Sequence, residues 1–466
     1  MFRWLALVLV LVVALVGGSY IAAGYTAPPT VVIDQPAGPI GQRGTLQFTA
    51  IAPRGFFTRL EATLAQNGTV VPIFNQDAVP EGATLKHLDA DHVQVTRPIG
   101  KTALPTLQQG PATITVTAVR TSFLRLRDVT TTVSKDIQVR LEPPRIAVLS
   151  TKHYLNHGGS EFVVYRATPP DVESGVRVGE VEYRGYPAAG AGVPAADPAL
   201  KVAFFALLHD QPLTAPVVAF ARDGAGNEAH VSFVDDVFDK AFRKSRIAVD
   251  DRFLGRVVPE ILSHSPQVKV DDPNDLLAGF LKVNGELRRL NADQILALGR
   301  NSLGELLWKG PFTQLGNSQV EAAFADARTY VYNGKDVDQQ THLGFDLAVT
   351  ANVPVLAANS GRVVNADWLG IYGNCVVIDH GLGVASLYGH LSSIDVKTGD
   401  TVSKGQVLGR SGMTGMAGGD HLHFTMLVGG HPVNPVEWWD PHWIQDRVER
   451  KLVEAGAAAP APPAAH

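Results

Sequence analysis

The chain has 466 residues, 45% of them hydrophobic and 18% charged, with a net charge of -5. That composition describes a globular protein of about three domains and excludes a disordered chain. The near-neutral balance leaves no basic stripe for nucleic acid, and the single cysteine, Cys375, excludes an intramolecular disulfide.

Residues 4–23 form a nearly unbroken apolar run behind Arg3. The run is long enough to cross a hydrocarbon core of about 30 Å. It predicts a transmembrane helix within an anchor segment, 1–27, with the rest of the chain on the periplasmic or extracytoplasmic side of the cell membrane. A cleaved signal peptide is the alternative. The block is long for an h-region, however, and Pro28 follows the small-residue site.

From 28 to 142 the text alternates in strand fashion, as in 45–51 and 112–119. Asn67-Gly68, between two apolar runs, is a strong hairpin signal. Short strands separated by turns predict an immunoglobulin-like β-sandwich. His87 and His92 fall in polar stretches and read as surface residues. Glu142-Pro143-Pro144 breaks the pattern, and a second β region follows over 143–235, resembling a bacterial immunoglobulin-like domain more loosely. Asp223-Gly224-Ala225-Gly226-Asn227 offers oxygens for calcium but reads better as a glycine-rich turn.

Over 236–307 the periodicity becomes helical. Leu277, Phe280, Leu281 and Leu287 recur at helical spacing, as do Leu290, Ile295, Leu296 and Leu298, with Asn291 or Asp293 as a cap. Lys240, Arg243, Lys244 and Arg246 read as one solvated helix face. A helical linker placed here could cover the groove of the domain that follows. From 308 to 440, alternating segments and frequent glycines predict an antiparallel β domain. Cys375 sits in an apolar strand there and reads as a buried, inert thiol. The remainder, 441–466, reads as a short helix over 442–454 and an alanine- and proline-rich tail over 455–466 that cannot build a core.

The chemistry concentrates in this last β domain. His421-Leu422-His423, led in by glycines, reads as a strand, in which residues i and i+2 share a face. Upstream, His342 and Asp346 stand four residues apart, and Tyr388-Gly389-His390-Leu391 lies between the two sites. A catalytic zinc takes three N/O protein ligands and keeps a fourth position for water. His342, Asp346 and one of the histidine pair supply that set, leaving the other and His390 to handle protons. Period-two geometry does not choose between His421 and His423.

These three motifs, in this order, resemble the LytM/lysostaphin-type zinc endopeptidases, which cut peptide bonds in bacterial cell walls. The intervening text carries the resemblance further, in Val355-Leu356-Ala357-Ala358-Asn359-Ser360-Gly361-Arg362-Val363, in Gly373-Asn374-Cys375-Val376-Val377-Ile378-Asp379-His380-Gly381, and in Lys397-Thr398-Gly399-Asp400-Thr401-Val402-Ser403-Lys404-Gly405-Gln406. Two positions depart from the family's usual text. Gly419-Asp420 stands where Gly-Pro is common, and Thr425 where an acidic residue is common.

The resemblance implies one zinc per chain held by His342, Asp346 and His423, with His390 and His421 in proton transfer. It implies peptidoglycan stem peptides or cross-bridges as substrate, in cell-wall remodelling, and a β-sheet groove with the metal at its floor. It also brings an alternative, since some relatives have lost ligands and act as non-catalytic regulators that activate other wall hydrolases. The expected fold is thus mainly β: an N-terminal transmembrane helix, two immunoglobulin-like β-sandwich domains, a helical linker and a C-terminal antiparallel β metallopeptidase domain. Tyr330 and Tyr332, upstream of the first ligand, are candidates to reach the substrate carbonyl. His380 reads as structural, and His431 and His442 as surface residues.

Overall fold

The computed structural model describes residues 2–24, 27–122, 127–194 and 197–456. The expected tail lies outside them from residue 457 on. Strands dominate the described residues, and the chain divides into two compact units. One holds Met1–Pro144 with Arg222–Glu228, the other Arg145–Ala221 with Ala229–His466.

In the first unit the apolar N-terminal run is a single helix, Phe2–Gly24. Among the described residues no helix is long and apolar enough to cross a membrane. The transmembrane expectation is therefore unsupported by the structure, although the side chains near both ends of this helix lie outside the described set. Beyond it, two four-stranded sheets share one core, to which Leu46, Phe48 and Ala50 contribute from one sheet and Leu60, Ala62, Ile114 and Val116 from the other. The alternation read from 45–51 appears directly as alternating burial along Thr45–Ile51. Arg59–Gln66 pairs antiparallel with Thr69–Asn75 across Asn67 and Gly68, whose φ of 50° and 77° put both in the left-handed region of a type I′ turn. The glycine-rich turn at 223–227 is closed by its own atoms. Asp223 Oδ1 accepts from the backbone N–H of Ala225 and of Asn227, both at 2.9 Å.

The second unit opens with two more four-stranded sheets, one built on Ser160–Thr168 and Leu200–Ala206, the other on Glu173–Val178 and Val217–Arg222. Their core is continuous with that of the downstream β domain. Trp438, fully buried, lies 5.6 Å from the Phe204 ring and 5.8 Å from Trp308. Lys451 donates at 2.8 Å to Glu161, an ion pair with both side chains fully buried.

Glu437, on the short helix Pro435–Trp439, accepts from Asn156 Nδ2 and from the Ser160 N–H, each at 2.7 Å. A Cβ on Gly159 would meet its Oε1 at 2.3 Å, so only glycine lets the carboxylate approach. Burial pushes the Glu437 carboxyl from 4.5 up to about 7, against the opposing hydrogen bonds from Asn156 and Ser160. A folded-state value above the unfolded one means that the folded chain holds the proton longer. The associated stability is complete below pH 4.5 and lost as pH rises through about 7, a change of roughly 3 kcal/mol. Glu437→Gln is expected to lose this decline, so that the wild-type and variant melting temperatures converge or cross between pH 4.5 and 8. Parallel melting curves across that range would show that the carboxyl does not titrate there.

Downstream, an eight-stranded sheet is centred on His421–Val428. Phe345–Ala348 pairs antiparallel on one side of it and Val384–Leu391 on the other. A smaller sheet stands beside it, in which Asp326–Tyr332 pairs antiparallel with Lys335–His342 and parallel with Lys244–Val249. That last strand differs from the purely helical reading of 236–307. Lys244 and Arg246 lie on it, not on a helix face, and Arg246 pairs with Asp336 across the sheet. The sequence of this strand, Lys244-Ser245-Arg246-Ile247-Ala248-Val249, has no apolar alternation to mark a strand, and its partner lies some 80 residues away, beyond the reach of a local reading.

Helices follow at Asp251–Ser263, Leu276–Lys282 and Arg288–Arg300. Asp250 caps the first by accepting from the Phe253 N–H at 2.8 Å, and Asp275 caps the second by accepting from the Ala278 N–H at 2.9 Å. Neither expected cap, Asn291 or Asp293, serves as one, because the third helix continues from a helical turn at Val283–Leu287. Asn291 is buried instead, and its Oδ1 accepts from the Ile371 N–H at 3.1 Å.

Candidate metal centre

Three strand ends bring the candidate ligands together. His342 closes Lys335–His342, Asp346 is the second residue of Phe345–Ala348, and His423 is the third of His421–Val428. Asp346 and His423 are register partners, so the sheet itself sets them side by side. His342 Nε2 lies 2.9 Å from Asp346 Oδ1 and 3.0 Å from His423 Nδ1, and His423 Nδ1 lies 3.0 Å from Asp346 Oδ1. All three side chains are buried. Ligand atoms bound tetrahedrally to zinc at 2.0–2.1 Å stand about 3.3 Å apart, so the triangle is close to that spacing.

The outer nitrogens fit a metal as well. His342 Nδ1–H donates to Ala323 O at 3.1 Å, which leaves Nε2 with its lone pair facing the centre. His423 Nε2 meets Thr425 Oγ1 at 3.0 Å, and the Thr425 hydroxyl donates onward to Leu343 O at 2.9 Å. Burial takes the His423 imidazole down to about 4, with Asp346 opposing and His342 assisting. A neutral imidazole is what metal ligation needs. Burial alone would raise the Asp346 carboxyl, but His342 above all, then His421 and His423, hold it well below its usual range. Gly344 is required at this point, since a Cβ there would stand 2.5 Å from both His423 Nε2 and Thr425 Oγ1.

The two remaining histidines stand against this triangle. His421 Nε2 lies 3.4 Å from Asp346 Oδ1, and its Nδ1–H donates to Gly419 O at 2.9 Å. Asp420, at the position where the sequence departs from the family's common text, accepts from Ser411 Oγ at 2.6 Å and pins the start of the strand. His390 sits at φ 63°, a left-handed conformation rare for a histidine, and its Nδ1–H donates to Thr414 O at 2.8 Å. The ring centres of His390 and His421 are 4.9 Å apart. The structure thus brings together all five residues singled out from the sequence.

Other histidines are elsewhere. His380 is wholly buried between Ser360 O and Ser386 Oγ, a structural role, and His442 is exposed. His431 differs from the surface reading. It is partly buried, 5.9 Å from the Tyr183 ring.

A cavity of about 140 Å³ opens onto the triangle. Phe253 and Arg288, from the helical segment, form part of its wall. Arg256 of the same segment donates to Met413 O at 3.2 Å and to Ala417 O, on the loop that leads to His421. The helices therefore narrow the approach to the site. Tyr330 lines the cavity, whereas the Tyr332 hydroxyl donates to Asp251 at 2.7 Å on the helical segment. Arg328, also in the wall, donates to Asp346 Oδ2 at 2.8 Å. The sequence reading missed it, although Asp326, Arg328 and Tyr330 share one face of their strand by period two. Thr425 was noticed only as a departure, and it proves to be the group that orients His423.

Residues 340–435 match Peptidase family M23 and form a LytM-type domain of that family. The peptidoglycan DD-endopeptidase ShyA of Vibrio cholerae is 44% identical over 96 residues, 21% of this chain and 22% of that protein. The murein hydrolase activator EnvC of Escherichia coli K12 is 39% identical over 95 residues, 20% of this chain and 23% of that one. These matches span under a quarter of either relative's length. Among solved structures, the catalytic domain of the antimicrobial peptidase lysostaphin from Staphylococcus simulans is 30% identical with a TM-score of 0.24, covering 27% of this chain and 96% of that one.

Proposed function

We propose that this M23 domain is a zinc-dependent endopeptidase that hydrolyses peptide bonds in peptidoglycan stem peptides or cross-bridges, outside the cytoplasmic membrane. The observation that carries the reading is the convergence of His342 Nε2, Asp346 Oδ1 and His423 Nδ1, with the outer nitrogen of each imidazole held by its own partner. His342, Asp346 and His423 would hold the ion. When bound, zinc supplies Lewis acidity to the scissile carbonyl and acidity to the attacking water.

The chain's own residues do the rest. His421, facing Asp346 through Nε2, is placed to take a proton at that atom. His390, whose Nδ1–H is committed to Thr414 O, would donate from Nε2 to the leaving amine or to the developing oxyanion only as the imidazolium, once Nε2 has received the proton that His421 removes from the attacking water. The buried walls limit water at the site. Two immunoglobulin-like β modules, 28–142 and 143–235, would set the standoff from the membrane. The N-terminal helix, with Leu5, Leu9, Val12 and Leu15 exposed, is the part of the chain that would hold it there.

The second reading, a LytM-like regulator that activates other hydrolases, is prompted by the activator among the relatives. The complete ligand set and both additional histidines favour the enzyme. Mass spectrometry of fragments released from defined peptidoglycan separates the two. The expected result is cleavage of one class of peptide bond, abolished by a chelator and restored by zinc. No fragments from the protein alone, together with a raised yield from a second wall hydrolase, would favour the regulator.

A further inference from the structure

Asp346 uses its two oxygens differently. Oδ1 is ringed by His342 Nε2 at 2.9 Å, His423 Nδ1 at 3.0 Å and His421 Nε2 at 3.4 Å, while Oδ2 takes the Arg328 Nη2–H at 2.8 Å. Arg328 is itself braced from behind. Its Nε lies 3.6 Å from Asp326 Oδ2, and Asp326 is buried with Ser245 Oγ 2.7 and 2.8 Å from its two oxygens. Ser245 stands opposite Arg328 in the parallel pairing of Lys244–Val249 with Asp326–Tyr332. A line of polar groups thus runs Ser245, Asp326, Arg328, Asp346 and ends at the candidate metal position.

We infer that Arg328 is a positioning residue that restricts Asp346 to ligation through Oδ1 alone, and that the strand Lys244–Val249 belongs to the metal site through Ser245 and Asp326. This rests on the metal reading above. The donated hydrogen bond draws Oδ2 toward the guanidinium in competition with a second bond to the ion, and the fixed guanidinium holds the carboxylate plane. The arrangement keeps a coordination position open, as a catalytic site requires. The buried Arg328 Nε makes no hydrogen bond among the described residues, a desolvation cost that strand packing alone gives no reason to carry.

Charge and geometry predict opposite signs, which makes the test decisive. A guanidinium that acted only as a charge would repel a dication, so its removal would tighten zinc. A guanidinium that positions Asp346 makes zinc weaker when removed. In the full-length protein, competition with a chromophoric chelator should show a zinc dissociation constant about 10–100-fold higher in Arg328→Met than in wild type. Arg328→Lys, which keeps one donor and the charge, should recover most of it. With cobalt(II) in place of zinc, the visible absorption of Arg328→Met should weaken toward that of a higher coordination number, as Oδ2 becomes free to bind.

Unchanged or tighter zinc in Arg328→Met, with an unchanged cobalt spectrum, overturns the inference while leaving the metal site standing. A wild-type protein that takes up no zinc overturns the site reading and the inference with it. Should Arg328→Met fail to fold, Ser245→Ala probes the same line one step back, where weaker zinc supports the inference and unchanged zinc contradicts it.

Discussion

Asp346→Asn is expected to lose zinc and wall cleavage together. Asp346 is the only carboxylate in the candidate triangle, and its Oδ1 lies within 3.0 Å of both ligand nitrogens. An amide oxygen in that position carries no charge to offset a dication, and an amide N–H turned inward would face it directly. The amide is preferred to alanine for this test because Asp346→Ala would leave the largely buried Arg328 facing a void, and breaking a buried pair in that way costs about 3–5 kcal/mol. Elemental analysis of the purified variant should find zinc well below one per chain, and digestion of peptidoglycan should fall to background. A variant that kept both would remove Asp346 from the metal site.

The second large effect separates chemistry from metal binding. His421→Ala is expected to lower cleavage by about 10²–10⁴-fold while zinc stays near one per chain, and His390→Ala should behave alike. Both imidazoles stand beside the triangle, not in it, and each commits its Nδ1–H to a backbone carbonyl. The comparison also settles which member of the His-Leu-His strand binds the ion. If His421→Ala loses zinc and His423→Ala retains it, the two assignments are reversed. His423 is the register partner of Asp346 and meets His342 at 3.0 Å, whereas His421 pairs with Ala348, so the retained-metal outcome is expected for His421.

The parts legible from sequence were those encoded by local pattern. Asn67-Gly68 announces its hairpin because few residues tolerate two left-handed conformations in succession. The histidines and Asp346 were legible because their spacing and flanking text are specific. The site's supports were not. Asp326 and Arg328 reach the site through the antiparallel pairing of their strand with Lys335–His342, and Ser245 joins them only because Lys244–Val249 pairs with a strand some 80 residues downstream, where parallel pairing leaves no short-range signal. Ala323 O and Thr414 O are backbone acceptors, which any residue type could supply. The basic run 240–246 was misread for the same reason, since charge spacing suits a helix face equally well when the partner strand is unknown. Buried Glu437 gave no sign either, because its partners Asn156 and Ser160 lie 281 and 277 residues upstream in the chain.

The most direct test of the central claim is anomalous diffraction above and below the zinc absorption edge, on crystals of the protein purified without added chelator. The account predicts a single strong anomalous peak about 2.0–2.2 Å from His342 Nε2, Asp346 Oδ1 and His423 Nδ1, with no bond to His421 or His390. An edge scan showing zinc in the crystal, with no peak among these three atoms or with the peak elsewhere, would contradict it.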